Sequence, residues 1–306
     1  MSTSGSTRAI LAALTANAGV AAAKCIGFLI TGSSSLLAEA VHSMADTSNQ
    51  ALLLFGQRAA RKQATALHPF GYGRSRYFWS FVVALVLFIL GSVFALYEGY
   101  HKIVYRSELT DPAVALGILV VASGLETFSF RRAIVESRPL KGRANWWNFI
   151  RNSRNPELPV VLLEDSGALI GLAFALAGVG LTVVTGDPMW DGIGTIGIGL
   201  LLGVVATILM IEMHSLLIGE GATVAQTQAI RFAVEATRHV DRLIYLRTQY
   251  LGPDEMLVAV RMSVRPHLEL ATLAAAIDTA KANIRAAVPT ARVIYLEPNL
   301  DRGLMS

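Results

Sequence analysis

Up to about residue 220 the chain alternates long apolar runs with short polar connectors, and after that its pattern changes. Runs of roughly 20 mostly apolar residues, the length a helix needs to cross a bilayer, fall near 8–30, 35–58, 76–100, 112–131, 158–184 and 190–218. They predict an α-helical membrane protein with about six transmembrane helices. The second run is the least apolar. Its centre, EAVHSMADTSNQ at 39–50, sets Glu39, His42, Asp46, Asn49 and Gln50 between SSSLLA and ALLLFG.

Past residue 220 the periodicity is that of a small mixed domain. ATVAQTQAIRFAVEATRH at 222–239 has helical spacing, and two β-rich runs, LIYLRTQYLG and MLVAVRMSV, flank the turn residues Gly252-Pro253-Asp254. A second helix over about 268–287 ends before Pro289, and ARVIYLE supplies a last strand. The order αββαβ predicts a ferredoxin-like α+β fold. The expected division is 1–219 for a transmembrane domain and 220–306 for a small α+β domain.

Composition agrees with the membrane reading. Of 306 residues, 53% are hydrophobic and 16% charged, against about a quarter charged in soluble chains. TANA at 15–18 resembles a signal-peptide cleavage site, but the apolar run continues through Cys25 to Ile30, which favours a first span. With Cys25 as the single cysteine, an internal disulfide and a cysteine-clustered metal site are excluded.

Charge changes the picture only through its distribution. Arg58, Arg61, Lys62, Arg74 and Arg76 lie between the second and third runs; Arg131, Arg132, Arg138, Lys141, Arg143, Arg151 and Arg154 lie between the fourth and fifth. The other connectors are poor in charge or balanced: 31–34 has none, 185–189 has only Asp187, and Lys102 and Arg106 are matched by Glu108 and Asp111. The positive-inside rule then predicts both termini on the cytoplasmic side, of the inner membrane if the cell is prokaryotic. The net charge of +4 is a topology signal, and nucleic acid is not an expected partner.

The candidate chemistry sits in the second and fifth runs. Residues three and four apart share a helix face, so Glu39, His42, Asp46 and Asn49 form one polar stripe. Ionisable groups inside a membrane are costly and mark a functional site by default. His42 and Asp46 set an imidazole and a carboxylate one turn apart, able to grip one ion or to hold each other in a hydrogen-bonded pair. The fifth run, VVLLEDSGALIGLAFALAG, carries Glu164 and Asp165 with no basic residue in the run. Neighbouring helical side chains diverge by ~100°, so one of the two is expected to face the site and the other to support it or pack elsewhere.

Together these features resemble the cation diffusion facilitator family, membrane proteins that exchange zinc or a related divalent ion for protons. The matching residues are Asn17 and Lys24, Gly32-Ser33-Ser34, His42-x-x-x-Asp46, HPFGYGRSRY at 68–77, and Asp165 six residues before Gly171. HSMADTSNQALLLFG, LLEDSGALIG and TGDPMWDGIGTIGIGLLLG are similar to its branch of mitochondrial zinc transporters. The resemblance implies a metal site of two residues from each of spans two and five: His42, Asp46 and Asp165 match, and Val161 stands in the fourth position. Zinc prefers four ligands, so Glu164, Asn49 or water is the expected substitute. Some members carry a second site in the loop after span two, of which only His68 remains, beside Thr65 and Tyr72.

The resemblance also implies a homodimer working by alternating access, with zinc leaving the cytosolic side in exchange for protons. The histidine favours zinc, cobalt or nickel over manganese or magnesium; manganese, iron and cobalt remain alternative cargo, and no organic cofactor is expected. Two rivals stand beside this reading. An intramembrane metalloenzyme lacks an H-E-x-x-H set, so no catalytic residue is expected. A transport-inactive scaffold or regulatory dimer draws its support from Val161.

Overall fold

The computed structural model describes residues 18–142 and 145–300; Asn17, Arg143 and the start of the first apolar run lie outside the described residues. The chain divides into two units, one of residues up to Gly56 with Phe78–Met213, the other of Gln57–Tyr77 with His214 onward.

The first unit is helical. Helix α1 covers Ala18–Thr31 and α2 Ser34–Ala60. Next come α3 (Ser75–Tyr105), α4 (Pro112–Lys141) and the short α5 (Trp146–Asn152). The last two are α6 (Glu157–Thr185) and α7 (Met189–Ile218). Four of them, α3, α4, α6 and α7, are long and apolar enough to cross a membrane. Helix α2 has 27 residues but interrupts its apolar character with the stripe read above.

Burial follows from this patterning. Leu36, Val83, Leu87, Leu119, Leu172, Ile198, Leu202 and Leu209 form the buried centre, while Val120, Val121 and Phe128 on α4 stay exposed. Apolar side chains left outside a helical bundle suit a hydrocarbon solvent. Small residues let the backbones close in: a Cβ added at Gly99 of α3 would lie 2.8 Å from the Gly192 carbonyl oxygen of α7. Helix α3 widens to a π-helix over Leu87–Val93, where the Ser92 hydroxyl donates to the Gly199 carbonyl at 2.8 Å.

The second unit holds the small sheet. Helix α8 (Val224–Glu235) opens with a capping box of Thr223 and Gln226, which satisfies amides that the first turn leaves unpaired. Strands β1 (Val240–Gly252) and β2 (Glu255–Val264) form an antiparallel hairpin. Helix α9 (Leu270–Ala287) carries the chain to β3 (Ala291–Asn299), which pairs parallel to β2. The sheet order is β1-β2-β3. Alternate residues of β2, from Met256 through Val258 and Val260 to Met262, pack with Ile230 and Val234 of α8 and Ile284 of α9.

Candidate cation site

Helical spacing turns the stripe of α2 inward. Glu39, His42 and Asn49 are buried, and the Asp46 side chain is 17% exposed, while Met44 on the opposite face is exposed. Lys24 of α1 is also buried, and its Nζ lies 2.9 Å from Glu39 Oε2 and 2.8 Å from Ser43 Oγ. That ion pair takes one carboxylate of the stripe out of play. The Lys24 side chain thus reaches across to the neighbouring helix α2.

His42 and Asp46 are brought together, with Nε2 and Oδ2 3.5 Å apart. At that separation they do not hydrogen-bond each other: both His42 nitrogens and Asp46 Oδ1 lack any partner among the described residues. Asn49 Oδ1 and Glu39 Oε1 share that condition. A buried polar atom without a partner costs ~1–3 kcal/mol, so several of them on one helix face form a donor set that favours a ligand.

The acidic pair of α6 divides as helical geometry requires. Glu164 faces α2, where Asn49 Nδ2 donates to its Oε1 at 2.7 Å. Asp165 faces α4, and Ser129 Oγ donates to its Oδ2 at 3.2 Å. Val161 packs in a cluster with Ala133, Phe149 and Leu162, so an apolar contact among α4, α5 and α6 occupies the turn before the acids. Asp165, matched to the site by resemblance, is therefore bound to Ser129 in this conformation, and Glu164 is the acid held against the stripe. Among the described residues no three His, Cys, Asp or Glu side chains converge as a ready metal-binding group. His68 stands apart in the second unit, exposed, with its ring packed edge-on against Tyr72.

Glu126 of α4, an acid within the fourth apolar run, interacts electrostatically with Lys24, Asp46, His42 and Glu39, and Asp165 with Glu126 and Asp46. Asp46, Glu126, Glu164 and Asp165 are thus linked electrostatically, and Lys24, which also interacts with Asp46 and Glu126, is paired with Glu39. Sequence reasoning missed one whole cluster. The missed cluster lies at the start of α2. The Asp191 carboxylate accepts from Ser33 Oγ at 2.9 Å and from the backbone N–H of Ser34 at 2.7 Å and of Ser35 at 3.2 Å. Lys102, counted from the sequence as part of a balanced connector, is buried in α3, with its Nζ 2.9 Å from the Gly32 carbonyl and 3.8 Å from Asp191. Opposite charges buried at both helix ends were the available signal.

A bundle of helices long and apolar enough to cross a membrane, around buried, partly unpartnered acids and an imidazole, defines a helical membrane protein with a polar interior. Residues 10–218 match the cation efflux transmembrane domain, and the chain belongs to that family, the cation diffusion facilitators. It is similar to the mitochondrial proton-coupled zinc antiporter SLC30A9 of Xenopus laevis, with 31% identity over 236 residues, 76% of this chain and 42% of that protein. Metal tolerance protein C4 of Arabidopsis thaliana is 33% identical over 254 residues, covering 81% and 55%. Magnetosome protein MamB of Magnetospira sp. is 25% identical over 241 residues, covering 78% and 76%. The chain thus spans about two fifths of the length of the first of these relatives.

Proposed function

We propose that the protein is a proton-coupled divalent cation antiporter that moves zinc out of the cytosolic side by alternating access. The observation that carries this reading is the set of buried, unpartnered ligand atoms on His42, Asp46 and Asn49, in a region with more carboxylates than cations. Likeness to a protein named as a proton-coupled zinc antiporter supports zinc as cargo and protons as the counter-ion.

In this reading His42, Asp46 and Asp165 bind the metal. Asp165 leaves Ser129 to do so, and Asn49 steers Glu164 toward the position that Val161 does not fill. An imidazole and carboxylates can each hold a proton or a metal but not both, so a proton arriving from one side and a metal from the other exclude each other at shared atoms. That exclusion is the thermodynamic content of antiport. His68 has no assigned role in the cycle, and no step needs an enzyme's catalytic residue.

The six spans count α1 and α2 with the four strongly apolar helices; the polar stripe of α2 accounts for its lower hydropathy. Both termini face the cytoplasm by the basic connectors. The αββαβ tail is read as a ferredoxin-like domain that pairs two chains into a homodimer. Zinc accumulation in proteoliposomes under an imposed pH gradient tests the proposal. Uptake that follows the gradient and collapses when a protonophore is added is expected; folded protein without uptake would leave the scaffold reading in place.

A further inference from the structure

The second unit contains a cavity lined by none of the residues of the proposed cation site. It measures about 380 Å³ and is lined by Arg61, Arg76 and Arg292, with Asp254 and Glu255. Its walls are held by a backbone-to-backbone contact between the segment before α3 and the β1–β2 turn. A Cβ at Gly73 would lie 2.7 Å from the Leu251 carbonyl oxygen, and one at Gly252 would lie 2.8 Å from Gly73 Cα. Only glycine on both sides allows the strand end and the segment to close so far.

The charges of the lining are unequal. Arg76 Nη1 lies 2.7 Å from Asp254 Oδ2, which leaves Glu255 against two further guanidinium groups. Arg61 and Arg292 are exposed, and neither forms an ion pair among the described residues. Guanidinium groups offer paired donors that match phosphate oxygens. A cavity of this volume is in the range that small ligands fill. Arg76 stands in the first turn of α3, a helix long and apolar enough to cross a membrane, so connectivity sets it at headgroup level, where basic pockets take anionic lipid.

We infer that this cavity binds an anionic phosphate ester through Arg61 and Arg292, with Arg76 held in place by Asp254. The phosphate is that of an anionic phospholipid headgroup or of a soluble phosphate compound, and the two sources separate by experiment. Full-length protein in neutral detergent is titrated calorimetrically with dihexanoyl phosphatidylglycerol, dihexanoyl phosphatidylcholine and inorganic phosphate. Phosphatidylglycerol is expected to bind, and phosphatidylcholine is not.

Each arginine removed should weaken binding about fivefold, so the Arg61→Gln/Arg292→Gln double variant should lose about 25-fold. Both side chains are exposed, so the variant keeps the thermal unfolding of the parent. Glu255→Gln should act in the opposite direction and tighten binding severalfold. Phosphate binding as well as the lipid, with the same arginine dependence, assigns the site to a soluble phosphate compound. Equal binding of both lipids, no binding of either anion, or affinity unchanged in the double variant would overturn the inference.

Discussion

At the scale of single residues, the ion pair between Lys24 and Glu39 decides what the rest of the stripe can do. With its Nζ 2.9 Å from Glu39 and 2.8 Å from Ser43, the lysine neutralises one acid and leaves His42 and Asp46 facing each other without a hydrogen bond. Removing either should therefore remove metal handling and not the fold. His42→Ala or Asp46→Ala is expected to lower zinc affinity by more than about 100-fold while oligomeric state and expression stay at parental levels; isothermal titration of purified protein measures the first and size-exclusion chromatography the second. Asn49 acts through Glu164, to which it donates at 2.7 Å. Asn49→Ala should weaken zinc about 10–100-fold, the range for losing a group that orients a ligand. An unchanged affinity in that variant would remove Glu164 from the site. The stripe was legible from helical spacing alone, because His42 and Asp46 are four apart. The partition of Glu164 from Asp165 was half legible: divergence on the helix was certain, and which acid turned to α2 depended on Asn49 and Ser129 in other helices.

At the scale of elements, α2 is held at its start by Asp191 of α7. One carboxylate accepts from Ser33 Oγ and from two backbone amides, doing at a distance what an N-cap side chain does locally. Lys102 of α3 lies 3.8 Å from the same carboxylate, so three helices meet at one buried acid. Breaking a buried pair by removing one partner typically costs ~3–5 kcal/mol. Asp191→Ala is expected to destabilise the protein by about that amount, and Asp191→Asn by less, as read from thermal unfolding in detergent. Equal melting of all three proteins would contradict the role given to Asp191. Apolar run lengths forecast the helices well, and the α-β-β-α-β order of the tail followed from its periodicity and the Gly252-Pro253-Asp254 turn. The Asp191 cluster was not legible, since 158 residues separate Ser33 from Asp191 and local pattern carries no information about such a contact. Lys102 was misread for the same reason: its position near a connector suggested solvent, and tertiary packing buried it.

At the scale of the whole molecule, the division of the chain cuts across the sequence order. Gln57–Tyr77, from the last turn of α2 to the first turn of α3, belongs with the C-terminal unit, joined to it by the Gly73–Gly252 contact and the Arg76–Asp254 pair. The match to the family's transmembrane domain covers residues 10–218, and the helical unit holds the proposed cation site. Antiport requires that metal and protons compete there, and one assay reads that competition directly. Protein is reconstituted into liposomes holding a pH-sensitive dye; zinc, cobalt, manganese and iron are added outside in turn, for the parent and for Asp165→Ala. A zinc-dependent proton signal that disappears in the variant is the predicted result. Folded protein that moves no protons with any of the four ions would contradict the account, and a full signal in Asp165→Ala would remove α6's second acid from the site.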